Sequence, residues 1–416
     1  MATQSNQITQ RLRWGEDILA LTVFFLLAFL PAFETFSRLF GGSGVPASPV
    51  LVQHMTLWIG FVGAVLATRQ NKLLALTTKP LFQADEEFHF GRWLAKNISF
   101  IVIISLMWGS WSLIRIEFQY PFDIAPNIPR WFVQGIMPVG FTLMAIQIFY
   151  SSFDNRMLRS SMLMMAFMWM FIAFSDAFNE NSFILFIGCA AILISLYYGA
   201  PIFVGLGGIA GLLFWSEYIP IAAIPAEAYR IVVSPSLPTI PLFTLAGYIL
   251  AESKASERLV KLFRALFGWI PGGTPVMLVL LCGFFTALTG GSGVTILALG
   301  GLLFPLLIRE GYSKHFSLGL ITVAGSLGLL FPPSLPLIIY GVTAAVSVKA
   351  ILIAGIIPGF LRVAMIGGWA VWQGKVQSVK RHKLNFIDIK TSLWDAKWEA
   401  VIPFFILFGI FGGFTT

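Results

Sequence analysis

Thr286, Thr289, Ser292 and Thr295 bring four hydroxyls within ten residues around the glycine run Gly290-Gly-Ser-Gly293. A second interruption, Gly328-Leu-Leu-Phe-Pro-Pro-Ser-Leu-Pro336, carries Ser334 and follows closely on Ser326. Residues 265–308 and 316–348 contain no Asp, Glu, Lys, Arg or His, so both interruptions belong inside or beside hydrocarbon. Main chain outside a regular helix survives at that depth only when it is buried in protein or lines a polar cavity. Its carbonyl oxygens and nearby hydroxyls are the ligands that a hard cation such as sodium takes, and broken helices of this kind form ion and substrate sites in transporters. The plain alternative is that glycine and proline are common in membrane helices and that serine and threonine bond back to their own backbone. Two such interruptions in succession within an uncharged region favour the site. Proton coupling would leave an intramembrane Asp, Glu or His. Across residues 265–348 such groups occur only in the turn 309–315, which favours sodium over protons.

The elements that hold these residues follow from run length and from proline. Residues 276–289 and 294–308 make runs of 14 and 15, about five short of the roughly 20 needed to cross hydrocarbon. Their joint has no aromatic or basic anchor, while Arg258, Lys261 and Arg264 precede the pair and Arg309 and Lys314 follow it. A re-entrant hairpin is expected, entering from the cytoplasm and turning near the midplane. Two complete crossings would give the same flanks, so the expectation rests on length and on the uncharged tip. Residues 316–348, a run of 33 broken at Pro332-Pro333, are expected as two half helices, because proline lacks a donor and disfavours helix in the residue before it. The upstream half would free the carbonyls of residues 328–331, and the downstream half would aim its amide end at the same point.

The rest of the chain reads as further spans, near residues 18–36, 50–67, 98–114, 131–150, 162–178, 183–197, 202–215, 237–251, 351–372 and 401–411. Arg11 and Arg13, then Arg69, Lys72, Lys79 and Arg92, then Arg156 and Arg159 fall on alternate turns, which places the N-terminus in the cytoplasm. No small-x-small cleavage pattern follows the first apolar run, so it is expected as a retained helix. Residues 79–92 and 252–266 suit amphipathic segments along the inner interface, and residues 217–235 a broken outer segment. The acidic loop 175–181 is the expected domain boundary, and a basic inner loop holds Lys375, Lys380, Arg381 and Lys383.

Composition agrees with an all-α polytopic membrane protein. Of 416 residues 57% are hydrophobic and only 11% charged, with a mean hydropathy of +0.83; a soluble domain carries about a quarter charged residues. The net charge of +8 lies in short inter-helical segments rather than in a basic patch, which argues against nucleic acid and for a lipid bilayer as the partner. Cys189 and Cys282 sit within apolar runs as small packing residues, and His54, His89, His315 and His382 form no ligand cluster and are expected in solvent or at the interface. Paired carboxylates, a nucleophile with its base, and a phosphate loop are all missing from the sequence, so an enzyme is not expected.

The motifs Phe284-Phe-Thr-Ala-Leu-Thr-Gly-Gly-Ser-Gly-Val-Thr295, Gly325-Ser-Leu-Gly-Leu-Leu-Phe-Pro-Pro-Ser-Leu-Pro-Leu-Ile-Ile-Tyr340, Ala354-Gly-Ile-Ile-Pro-Gly359, Leu196-Tyr-Tyr-Gly-Ala-Pro201 and Pro241-Leu-Phe-Thr-Leu-Ala-Gly247 resemble the large membrane subunit of TRAP transporters, the tripartite ATP-independent periplasmic systems. Residues 1–155, through Trp58-Ile-Gly-Phe-Val-Gly-Ala64 and Ile136-Met-Pro-Val-Gly-Phe141, resemble the small subunit more loosely, residues 156–182 would link the two, and residues 183–416 form the large-subunit-like part. The resemblance implies an elevator-type, sodium-driven importer of organic anions, commonly carboxylates, in the bacterial inner membrane, supplied by a soluble periplasmic binding protein. It also implies that Thr289, Gly290, Gly291, Ser292, Thr295, Gly325, Ser326 and Gly328 contribute to a sodium site and that Ser292, Gly293, Pro333 and Ser334 border the substrate. The large subunit normally continues into a second hairpin, a second broken helix and further spans. Only the first of two inverted repeats is therefore expected here, so that either the chain is a fragment or a partner chain supplies the other. The competing expectation is a truncated, non-transporting membrane scaffold or docking subunit.

Overall fold

The computed structural model describes residues 2–42, 44–76, 90–152, 156–175, 182–270, 272–376 and 385–412. Most of the amphipathic segment expected at 79–92, the acidic loop 176–181, the basic residues Lys380, Arg381 and Lys383, and the last four residues lie outside them. Two compact units divide the chain, Met1–Val233 and Ser234–Thr416. Among the described residues five helices are long and apolar enough to cross a membrane, and a bent pair would make a sixth.

The first unit holds α1 (Ala2–Leu39), α2 (Ser48–Arg69), α3 (Phe90–Gln119), α4 (Arg130–Gln134), α5 (Ile136–Ser152), α6 (Arg156–Ala173), α7 (Ser182–Tyr197), α8 (Ile202–Ser216) and α9 (Ala223–Val232). α3 is its centre, packed against α5, α6, α7, α8 and α9. A helix buried on several sides in an apolar setting must satisfy its own polar groups. Asn97 accordingly donates to Trp93 O at 2.7 Å, Ser99 to Ala95 O at 2.7 Å and Ser110 to Leu106 O at 2.8 Å. The outside is apolar instead: exposed Phe25, Phe29 and Phe33 stack along α1, as lipid contact allows and water does not.

Charge sorts to the two ends of this unit. Arg69 at the end of α2 pairs with Glu16 at 2.9 Å and Asp17 at 2.6 Å, just before the apolar stretch of α1, and Gln147 near the end of α5 donates to Glu16 at 3.2 Å. The ends of α2 and α5 therefore share one side with this polar part of α1. At the opposite side Arg130, opening α4, pairs with Glu117 near the end of α3 at 2.9 Å. A small hairpin of β1 (Asp123–Ala125) and β2 (Ile128–Pro129) joins α3 to α4. The broken segment at 217–235 proves to contain α9. His54 is also not solvated: it is buried, with Nδ1 2.7 Å from Val50 O and Nε2 2.7 Å from Tyr229 Oη of α9. A partner remote in sequence gives no local signal.

The second unit holds α10 (Thr239–Glu252), α11 (Ala255–Phe267), α12 (Gly273–Thr289), α13 (Ser292–Arg309), α14 (Lys314–Ala324), a 3-10 turn (Leu327–Leu330), α15 (Leu335–Thr343), α16 (Val348–Val376), α17 (Phe386–Asp395) and α18 (Lys397–Gly412). α12 is the innermost element, touching α10, α11, α13, α14, α16 and the 3-10 turn. Its Met277, Leu278, Val279, Leu281, Cys282 and Phe285 are all buried in one core. A helix apolar all round belongs in a protein core or in lipid, and α12 takes the core. The open ends of α12 and α13 meet on the amphipathic α11. Arg264 donates to Glu310 just past α13 at 3.2 Å, and a Cβ on Gly273 would stand 2.2 Å from Phe267 O. Arg258 of α11 also pairs with Glu399 of α18.

Candidate functional site

The two-residue turn Gly290-Gly291 joins α12 to α13. Gly290 caps α12 at φ +67°, its N–H donating to Thr286 O at 2.8 Å, a conformation that a residue with a side chain avoids. A Cβ at Gly290 would also stand 2.2 Å from Leu335 Cδ1. The hairpin tip therefore abuts the first residue of α15 and meets the proline break directly. α10 closes another side, where a Cβ on Gly247 would meet Thr289 Cγ2 at 2.6 Å.

Behind the tip the threonines converge. Thr286 Oγ1 lies 2.9 Å from both Thr295 Oγ1 and Gly325 O, and with one proton it donates to one of them at a time. Thr289 Oγ1 is 3.0 Å from Thr295 Oγ1, which also reaches Gly291 O at 3.4 Å. All three threonines are buried. Three hydroxyl protons and the Thr295 N–H, which donates to Gly291 O at 3.2 Å, serve three hydroxyl oxygens and two carbonyls, so lone pairs exceed protons. Oxygen-rich, proton-poor clusters are what a hard monovalent cation needs.

The second interruption is broken in earnest: α14 ends at Ala324, the 3-10 turn follows, Pro332–Pro333 is cis, and α15 leaves at 46° to the preceding helix. A Cβ on Gly328 would fall 2.3 Å from both Ala287 N and Gly283 O, so the turn lies on the bare backbone of α12. A Cβ on Gly325 would come within 3.3 Å of Ser292 O. The expected ligand positions Thr289, Gly290, Gly291, Ser292, Thr295, Gly325 and Gly328 are thus gathered along one seam. Gly293 looks into open space, with nothing within 4 Å of its Cβ position. Pro333 and Ser334 are buried beneath the break instead. Ser334 Oγ donates to Leu329 O and accepts from Leu337 N at 3.4 Å as the cap of α15. Replacing Ser334 by alanine is expected to lower stability by about 1 kcal/mol through loss of that cap, read as a lower melting temperature of the purified protein. An unchanged melting temperature would show that the cap carries no weight.

One charged side chain inside an apolar run also meets the break. Arg362, the midpoint of the 29-residue α16, donates from Nη2 to Ser326 Oγ at 3.0 Å and from Nη1 toward Ser326 O at 3.5 Å. Its signal is present in the sequence, because it is the one charged residue in positions 351–374. Arm lengths also need correcting. α12 and α13 have 17 and 18 residues rather than 14 and 15, since Gly273-Thr-Pro275, Ser292-Gly293 and Arg309 join them. At 1.5 Å per residue they reach about 25 and 27 Å, still under the roughly 30 Å of hydrocarbon but by less than run length suggests.

Similarity to known proteins bears on this geometry. Residues 27–157 match the family described as tripartite ATP-independent periplasmic transporters, DctQ component, and residues 187–416 match the DctM component. The isethionate TRAP transporter permease protein DctMQ of Oleidesulfovibrio alaskensis is 26% identical over 408 residues, covering 94% of this chain and 63% of that protein. The C4-dicarboxylate large permease protein DctM of Vibrio cholerae is 31% identical over 52% of this chain and 49% of its own length, and the ectoine large permease protein TeaC of Halomonas elongata 34% identical over 43% and 42%. The chain therefore spans less than two thirds of each of these relatives. The DctM match begins at residue 187, whereas packing divides the chain at Val233, so α7, α8 and α9 pack with the small-subunit-like helices. With sequence of both membrane components in one polypeptide, this multi-pass, all-α chain belongs to the tripartite ATP-independent periplasmic (TRAP) transporter family, DctQ-component sequence being fused to DctM-component sequence.

Proposed function

We propose that the chain is the membrane permease part of a sodium-coupled secondary transporter that imports organic anions delivered by a periplasmic binding protein. The observation that carries this reading is the buried meeting of Thr286, Thr289 and Thr295 with Gly325 O where two helices are interrupted. Thr289, Gly290, Gly291, Ser292, Thr295, Gly325, Ser326 and Gly328 hold the sodium ion through hydroxyl and carbonyl oxygens. Ser292 and Gly293, at the N-terminus of α13, border the substrate, whose negative charge suits the positive end of the helix dipole. Pro333 and Ser334 shape that border from below.

The names of the relatives support small polar organic solutes as cargo, isethionate and C4-dicarboxylates being anions. The hairpin is re-entrant in this reading, because its tip buries hydroxyls and no charge. The side on which Arg69 meets Glu16 and Asp17 faces the cytoplasm, as does the N-terminus. Transport is of the elevator type, the helices that hold the site moving as a body with their cargo.

Proteoliposomes carrying the complete permease, supplied with its binding protein and with labelled succinate or isethionate, test this reading. Uptake should require an inward sodium gradient and stop when potassium replaces sodium. Uptake indifferent to sodium, or driven by a proton gradient alone, would refute the coupling.

A further inference from the structure

Arg362 stands in the middle of the apolar α16, and its position is built rather than incidental. Gly355, Gly359 and Arg362 are spaced four and three apart and so share one helix face. A Cβ on Gly355 would lie 2.6 Å from Leu330 O, and one on Gly359 would lie 3.3 Å from the Phe331 ring. Bare helix backbone thus rests on the broken segment, and the next turn delivers the guanidinium to Ser326.

Among the described residues no ion pair includes Arg362. A hydroxyl and a carbonyl satisfy two of its donors and leave its charge uncompensated. Ionisable groups inside membrane segments are expensive and ordinarily pair or mark a pathway. The Ser326 hydroxyl already donates to Val323 O at 2.8 Å, so its remaining lone pairs face the guanidinium. Those lone pairs and the Ser326 carbonyl are oxygens assigned above to sodium. A guanidinium and a metal cation cannot occupy the same lone pairs, and like charges at such range repel.

We propose that Arg362 is the anion-recognising residue of the transport site and that Ser326 is its resting place while sodium is absent. Sodium entering at Gly325 and Ser326 displaces the guanidinium, which then takes an oxyanion of the substrate, carboxylate or sulfonate. The planar fork of donors matches either group, which an ammonium does not. Sodium binding and anion binding are thereby linked through one side chain, and the linkage is reciprocal. This inference rests on the sodium reading of the preceding section.

The test is sodium binding to the purified complete permease without substrate, comparing wild type with Arg362→Gln and Arg362→Lys, alongside uptake in proteoliposomes. Removing the resident cation should lower the half-saturating sodium concentration of Arg362→Gln about tenfold, while uptake of succinate and isethionate falls about a hundredfold or more. Arg362→Lys, which keeps the charge, should leave sodium affinity near that of wild type and recover part of the uptake at a raised KM. A merely structural arginine would not tighten sodium binding on removal. A folded Arg362→Gln protein that binds sodium as wild type does, or more weakly, overturns the inference and leaves the sodium site standing. Wild type without saturable sodium binding overturns both. Where Arg362→Gln fails to fold, Arg362→Met keeps the apolar stem and gives the same comparison.

Discussion

Alanine at Gly328 is expected to abolish sodium-dependent uptake while the protein is still made. The added Cβ would stand 2.3 Å from Ala287 N and Gly283 O and 2.7 Å from Thr286 C, distances that real Cβ atoms essentially never show. These are backbone atoms of α12, which cannot yield because Leu278, Leu281 and Phe285 are buried on its other faces. The 3-10 turn must lift instead, and overpacking of this kind costs about 1–3 kcal/mol or more. Lifting by about an ångström takes Gly325 O beyond hydrogen-bond range of Thr286 Oγ1, and the cluster opens. Uptake should fall about a hundredfold or more, with a lower melting temperature. Gly319→Ala is the control, since nothing lies within 4 Å of that Cβ position and alanine favours the helix. Wild-type uptake by Gly328→Ala would mean that the break does not need its seat on α12.

Thr295→Val is the second large effect. Valine keeps the shape of threonine and removes only the oxygen that lies 2.9 Å from Thr286 Oγ1 and 3.0 Å from Thr289 Oγ1. Thr286 keeps Gly325 O as an acceptor at 2.9 Å, while Thr289 loses its contact with Thr295; a buried hydroxyl left without a partner costs about 1–3 kcal/mol, and about 1.4 kcal/mol is tenfold in an equilibrium constant. Half-saturating sodium for uptake should rise about tenfold to a hundredfold, and Thr295→Ser, which retains the oxygen, should restore most of the affinity. An unchanged sodium requirement in Thr295→Val would remove the threonine cluster from the site.

Both breaks were legible because glycine and proline act locally. Gly290 caps its helix at positive φ and the paired prolines Pro332-Pro333 remove two successive donors, whereas the single prolines Pro305 and Pro358 stay inside helices, and uncharged flanks announce depth. What was not legible depends on partners distant in sequence. His54 finds Tyr229 and is buried, Gly247 finds Thr289, and Gly328 finds the backbone of residues 283–287. Apolar runs are shorter than the helices because they exclude Gly273-Thr-Pro275, Ser292-Gly293 and Arg309, residues that helices accept at their ends. α17 has no run signature, because Phe386–Asp395 mixes charge with apolar residues. Arg362 gives little signal, because one arginine does not spoil the hydropathy of a 29-residue helix. The same isolation makes it conspicuous once the break lies beside it.

The most direct measurement is equilibrium binding of radioactive sodium to the purified complete permease at fixed ionic strength, for wild type and Thr295→Val. Saturable binding that potassium does not displace, weakened about tenfold or more in Thr295→Val, is the predicted result. Folded wild-type protein without saturable binding, or binding identical in the two proteins, would contradict the assignment of the ion to the threonine cluster.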